Sequence, residues 1–333
     1  MLDSRFDVLG IGNAIVDIIS RIEDDFLIRH GMHKGRMALV DETRAEAIYR
    51  AMGATIEISG GSAANTTIGL ASLGARSAFI GKIKDDRLGH VFSRDIRSAG
   101  VSFDTPRAGA GPSTARCYVL VTPDGERTMN TYLGAAQGLE PDDIDAAVVA
   151  DSAVTYLEGY LWDPKNAKDA FLKAAAIAHA ARRTVALTLS DSFCVDRWRD
   201  EFLDLVRRRT VDLLFANESE LKSLYQTADF DAAIAALRED ARLAVVTRSE
   251  LGCVIVNSTM TQAVPAFPVE RVVDATGAGD LFAAGFLLGL TRGRDHATAA
   301  RIGALAAAEA IQHLGARPKS SLTELVLNNG LPV

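Results

Sequence analysis

Three cysteines in 333 residues, Cys117, Cys194 and Cys253, are too few and too far apart for a disulfide framework or a thiolate metal site. They suit a reducing, cytoplasmic setting. The six histidines form no metal pair; His30 and His33 read as surface-loop residues. There is no Lys/Arg block and the net charge is −7, which argues against nucleic acid or an anionic membrane as partner. No apolar run reaches the ~18 residues of a membrane span. The longest candidate, Ala275–Leu290, is interrupted by Asp280. The start of the chain shows no apolar segment of signal-peptide type. Two nucleotide motifs are also missing. Gly81-Lys82 lacks both the earlier Gly and the following Ser/Thr of a P-loop. Gly10-Ile11-Gly12 offers two glycines of a dinucleotide fingerprint, but Ile15 stands at the third. Any nucleotide is held by other means.

What is present is enough for a sizeable core: 48% of residues are hydrophobic and 24% charged. Strand and helix signals alternate. Strands are expected at 6–12, 77–81, 154–157, 185–189, 213–215 and 243–247, and helices at 62–73, 89–99, 167–181, 218–225 and 230–237. This alternation predicts a mostly parallel sheet covered on both faces, with ligands at the carboxyl ends of the strands. Two regions break it. Ile15–Ile22 with Arg36–Val40, and Thr114–Val121 with Arg127–Leu133, read as strands without an intervening helix. Pro123-Asp124-Gly125 supplies a turn in the second pair. They predict a small β-lid from about 13–40 and 107–135. No linker composition marks a second domain, so 1–333 is read as one.

The chemistry concentrates in Asp274-Ala-Thr-Gly-Ala-Gly-Asp280, just before an apolar helical segment. A helix start offers unpaired N–H groups and a positive dipole end, which suit a phosphate. A carboxylate there repels phosphate, but it can take a proton from a hydroxyl that attacks one. Anion cradle plus base implies phosphoryl transfer to an alcohol. Elsewhere the residues leave alternatives open. Asp17, in an apolar strand, is either an exposed-face residue or a carboxylate accepting from vicinal sugar hydroxyls. Gly60-Gly61 allows close backbone approach to a ligand; Ser62 is an N-cap or a contact, and Asn65 faces ligand or solvent. Asn217 and Glu220 form a helix cap, or supply hard oxygens near Mg²⁺ and its waters. Thr247 and Gly252 flank a polar turn where a nucleotide can rest.

Together these motifs resemble the ribokinase-like (PfkB-type) carbohydrate and nucleoside kinases. The likeness runs nearly the full length. It is carried by Gly60–Gly100, with Gly-Gly-Ser-Ala-Ala-Asn and Gly81–Gly89, by Asp274–Gly289, and by Asn217-x-x-Glu220. The resemblance implies a three-layer α/β/α sandwich with a β-lid, ATP as donor, Mg²⁺ and K⁺. Within the family, Gly12-Asn13-Ala-Ile-Val-Asp17 and Leu189-Ser-Asp-Ser-Phe193 are most similar to the adenosine kinase branch. That likeness implies phosphorylation of a nucleoside at its 5′-hydroxyl: a purine nucleoside, adenosine first, then guanosine or inosine, or else the pyrimidine nucleoside cytidine. Asn13, Asp17 and Asn65 then face the ribose, Cys117, Leu133, Tyr160 and Phe193 face the base, and Leu39, Gly61 and Ser62 complete the acceptor site. Asn217, Thr247, Gly252, Thr276, Gly277 and Gly279 face ATP, with Glu220 on Mg²⁺ through water. Asp280 is the base, and the 277–279 backbone, Ala278 included, is the anion hole. Carbonyls of Asp274, Thr276, Ala310, His313 and Gly315 would hold K⁺. Met37 stands where that branch tends to carry an amide, and Arg127 resembles lid arginines of sugar kinases. A sugar kinase for ribose or fructose is the alternative, and a non-catalytic nucleotide-binding relative stands behind it. The resemblance allows a monomer or a homodimer.

Overall fold

The computed structural model describes residues 4–332; Met1–Asp3 and Val333, the outermost residues of the expected 1–333 domain, lie outside that range. The strands in chain order are β1 (Phe6–Ile11), β2 (Ile15–Arg21), β3 (Met37–Leu39), β4 (Ile56–Gly60), β5 (Ser77–Ile80), β6 (Ala115–Val121) and β7 (Arg127–Tyr132). They continue with β8 (Ser152–Glu158), β9 (Thr184–Thr188), β10 (Leu213–Asn217), β11 (Leu243–Thr247), β12 (Cys253–Asn257) and β13 (Met260–Val264).

Eight strands form the main sheet in the order β13-β12-β11-β10-β9-β8-β1-β5. From β5 to β11 every pair is parallel; β12 and β13 add antiparallel strands at one edge. Both faces are covered, which is why β8 is buried at every position. On one side Val8, Phe79, Tyr156, Phe215 and Val245 pack with Leu281 and Phe286 of helix Ala278–Thr291. On the other, Leu9, Leu157, Leu187, Leu214 and Val246 pack with Phe171 of helix Lys165–Ala180 and Phe202 of helix Ser192–Arg207. This is the expected α/β/α sandwich.

The second sheet runs β3-β7-β6-β2-β4. It is larger than the sequence suggests: β4 lies outside both expected lid segments and pairs antiparallel with β2. A short helix, Asp24–Arg29, also interrupts the segment read as helix-free. Its charges explain it, since Asp24 and Asp25 open it and Arg29 closes it, each at the favourable end of the dipole. Phe26 and Leu27 anchor it in the core. Among the described residues no helix is long and apolar enough to cross a membrane.

Candidate active site

The carboxyl ends of the parallel strands open into a cleft of about 1110 Å³, roofed by the second sheet. Strand register builds the roof. Ile58, Asp17, Cys117, Thr131 and Leu39 are successive register partners across all five strands, and all of them line the cleft. Two residues further along, Ile19, Val119, Met129 and Met37 make a second, apolar row on the same face. The opposite face, with Ile18, Tyr118 and Leu120, packs inward with Ala45 and Ile48 of helix Glu42–Ala51. A mostly apolar ceiling with one carboxylate, one thiol and one hydroxyl suits a flat, weakly polar group. Burial pushes the Cys117 thiol up to about 12, so it is a packing group and not a nucleophile; Thr131 Oγ1 donates to its Sγ at 3.2 Å.

Asp280 sits in the first turn of helix Ala278–Thr291, on the cleft wall. Ser62 Oγ donates to its Oδ1 at 2.6 Å, and Asn65 Nδ2 to its Oδ2 at 3.3 Å. Burial raises its pKa to about 6, against the lowering effect of those two bonds. Ser62 is therefore not the N-cap it resembles in sequence. Gly61 holds that position with φ 104°, which frees the Ser62 hydroxyl for Asp280. Asn65 faces the cleft, not solvent. Asp17 lies across from this group. Burial lifts its pKa to about 6, with Arg127 and Arg317 pulling it down and Asp280 pushing it up. Gly60 makes room for it: a Cβ there would lie 2.3 Å from Asp17 Oδ2.

The anion loop is held by Asp274. Its carboxylate accepts from Thr276 N at 3.0 Å and from Gly315 N at 2.8 Å, and pairs with Arg127 of the lid. Burial works against its ionised form, but these partners outweigh burial and hold its pKa below the usual carboxylate value. Gly277, at φ 79°, is the N-cap of the helix that follows. Thr276, Gly277, Gly279 and Gly315 line the cleft. Asp274, Ala278, Ala310 and His313 are not on its wall; Ala310 is core, and the His313 ring meets Glu309 at 3.2 Å.

On the far side, Asn217 and Thr247 are register partners at the ends of β10 and β11, and both line the cleft. Asn217 and Glu220 form a reciprocal cap. Asn217 N donates to Glu220 Oε2, and Glu220 N to Asn217 Oδ1, each at 2.9 Å. Burial lifts Glu220 to about 7. Gly252 is set back from the cleft; a Cβ there would meet Val264 O at 2.1 Å, so it serves the turn into β12.

Sequence reasoning passed over Glu158. This buried carboxylate accepts from Asn13 Nδ2 at 2.7 Å and Ala63 N at 2.8 Å, tying the end of β1 to the start of helix Ser62–Ser72. Burial pushes it up to about 7. The available signal was an acid closing an apolar strand just before Gly159-Tyr160. Arg317, bonded to Ser59 and Asp95 at the cleft rim, carried no signal beyond its charge.

A glycine-capped helix start carrying a buried carboxylate, on the wall of a cleft under a second sheet, suits a phosphotransferase of the α/β/α type. The sequence profile of the pfkB family carbohydrate kinases matches residues 41–323, and the chain belongs to that family. It is a kinase with a ribokinase-like fold. It is 53% identical to a solved adenosine kinase from Sinorhizobium meliloti, with TM-score 0.91 over 98% of this chain and 100% of that one. It is 52% identical to a solved probable sugar kinase from Rhizobium etli, with TM-score 0.92 over 99% and 100%. The adenosine kinase of Saccharomyces cerevisiae is 27% identical over 92% of this chain and 94% of its own length.

Proposed function

We propose that this kinase transfers the γ-phosphoryl group of ATP to the 5′-hydroxyl of a nucleoside, with adenosine as the preferred acceptor. The observation that carries the reading is the placement of Asp280. It follows the glycine-rich loop directly in the chain and shares one cleft with Asp17, under the apolar face of the second sheet. The likeness to two proteins named adenosine kinase supports the same acceptor.

In this reading Asp17 and Asn65 grip the ribose 2′- and 3′-hydroxyls, and Asn13 is oriented beside them by Glu158. Asp280 takes the 5′-hydroxyl proton. The ribose oxygen bonds to the γ-phosphorus, the bond to the bridging oxygen breaks, and ADP leaves. Backbone N–H groups of 277–279 stabilise charge on the phosphoryl in transit. Leu39, Cys117, Leu133, Tyr160 and Phe193 enclose the base. Asn217, Thr247 and Thr276 lie along the ATP path.

Mg²⁺ would neutralise phosphate charge when bound. Glu220 fits an indirect role: Asn217 occupies one lone pair on each carboxylate oxygen, leaving others for a metal-bound water. The two loops that Asp274 draws together, at Thr276 and Gly315, are where carbonyls would hold K⁺. We read the chain as one cytoplasmic domain with its lid, monomeric or dimeric.

The test is a panel of adenosine, guanosine, inosine, cytidine, ribose and fructose with Mg-ATP, scoring ADP and identifying the product. Adenosine 5′-monophosphate as the main product is expected. Efficient turnover of ribose or fructose with no nucleoside turnover would replace this reading with that of a sugar kinase.

A further inference from the structure

Phe193 is an apolar ring that lines the cleft yet is 74% exposed. Its position is not inherited from a rigid helix. Helix Ser192–Arg207 loses helical geometry at Trp198 (φ −124°, ψ 21°). On the other side, Ser190 has φ 74°, a left-handed conformation that a non-glycine residue adopts only when its surroundings impose it. Residues 190–197 are thus bracketed by two backbone irregularities, and side-chain contacts decide where they lie.

Those contacts run to the turn Gly159–Trp162, which carries Tyr160. Tyr160 N donates to Ser190 Oγ, and Cys194 Sγ donates to Gly159 O, both at 3.1 Å. These neutral bonds hold the near end. Asp163, the next residue after the turn, holds the far end. Its carboxylate accepts from Arg197 Nε at 3.2 Å and Nη2 at 3.0 Å, and from Trp198 Nε1 at the helix break. This is the charge-assisted member of the set, and a bidentate arginine adds geometric definition. Asp163 and Arg197 also line the cleft.

We infer that Asp163 is a positioning residue that sets the spacing between Tyr160 and Phe193, and so the preference of the cleft for a nucleoside over a free sugar. The inference rests on the nucleoside reading above. Both residues line the cleft, and in the nucleoside reading it is the base, which a free sugar lacks, that lies against them. Asp163 thus acts on acceptor binding and leaves the transfer step at Asp280 untouched.

The test compares Asp163→Ala and Asp163→Asn with the parent chain, using adenosine, ribose and Mg-ATP. In Asp163→Ala the KM for adenosine should rise about tenfold or more, the loss expected for a charge-assisted bond. Its kcat and the KM values for ribose and Mg-ATP should stay within about twofold. Asp163→Asn keeps an acceptor for Trp198 and loses the ion pair, so it should fall between. Both tryptophans of the chain sit at this clamp, Trp162 in the turn and Trp198 at the break. Adenosine should therefore change tryptophan emission in the parent, and less so in Asp163→Ala. Arg207→Gln, which breaks an ion pair to Asp240 at the other end of helix Ser192–Arg207 and touches neither the turn nor residues 190–198, should leave the adenosine KM unchanged. If Asp163→Ala does not fold, Arg197→Gln carries the same comparison. An unchanged adenosine KM, or equal losses for adenosine and ribose, overturns the inference while the nucleoside reading stands. A parent chain that phosphorylates no nucleoside overturns both.

Discussion

A carboxylate serves as a general base when it is ionised, oriented and close to its proton, and Asp280 is prepared on the first two counts. Ser62 and Asn65 fix its plane, while burial lifts its pKa to about 6. Asp280→Asn should lower turnover by ~10²–10⁴-fold with acceptor binding largely kept; steady-state kinetics with a direct binding measurement checks both. In the parent chain, kcat/KM should fall as pH drops through about 6, as Asp280 takes up a proton. Stability responds with the opposite sign. The folded pKa lies above the ordinary value of 3.8, so this group favours folding at low pH, and that contribution is lost as pH rises through about 6. Asp280→Asn removes the penalty. Its gain in Tm over the parent should be larger near about pH 8 than near about pH 5; equal shifts at the two pH values would contradict the burial argument. Ser62, Asn65 and Asp280 are separately visible in the chain, but their convergence is not, because 215 residues separate Asn65 from Asp280.

At the scale of elements, the anion loop and the roof depend on different rules. Gly277 has φ 79°, and a Cβ there would lie 2.5 Å from Ala316 Cβ and 2.7 Å from its Cα. Gly277→Ala combines backbone strain with a clash against main chain, so it should cost ~1–3 kcal/mol. It should also lower kcat beyond what the stability loss explains, because the loop must shift; thermal unfolding and kinetics on the same sample separate the two. This demand was legible in the motif, since glycine is the residue that tolerates such a conformation. The roof is different. Alternation along β2 and β6 marks two faces, but the row from Ile58 to Leu39 exists only because five strands pair in one register. β4 escaped the sequence reading because Ile56–Gly60 is short and carries Glu57 and Ser59 in a strand of mixed burial. The Asp24–Arg29 helix escaped because six residues hold too little periodicity to see.

At the scale of the whole molecule, the Arg127–Asp274 ion pair joins the roof to the glycine-rich loop. Arg127 opens β7, and Asp274 opens the glycine-rich loop; the Asp274 side chain is buried and that of Arg127 largely so. Removing one partner of a buried pair typically costs ~3–5 kcal/mol. Here Gly315 and Thr276 still hydrogen-bond Asp274, so the loss should appear mainly as lid mobility. Arg127→Ala should speed amide hydrogen exchange in β7 and β3, leave β8 and β9 protected, and lower kcat/KM. Unchanged exchange in the lid strands would show that the pair does not couple lid and loop.

The sequence by itself determined the sandwich and the chemical type of the loop. Buried parallel strands need apolar runs with helices between them, and a glycine-rich turn ending in an acid is a local device. The tertiary structure decided which distant groups meet: Ser62 with Asp280, Glu158 with Asn13, Arg127 with Asp274. It also decided what capping residues do, turning Ser62 into a partner of Asp280 and leaving Asn217 and Glu220 as a reciprocal cap. Local spacing specifies a turn or a strand face, whereas contacts across 145 residues or more depend on register and packing that no local pattern encodes.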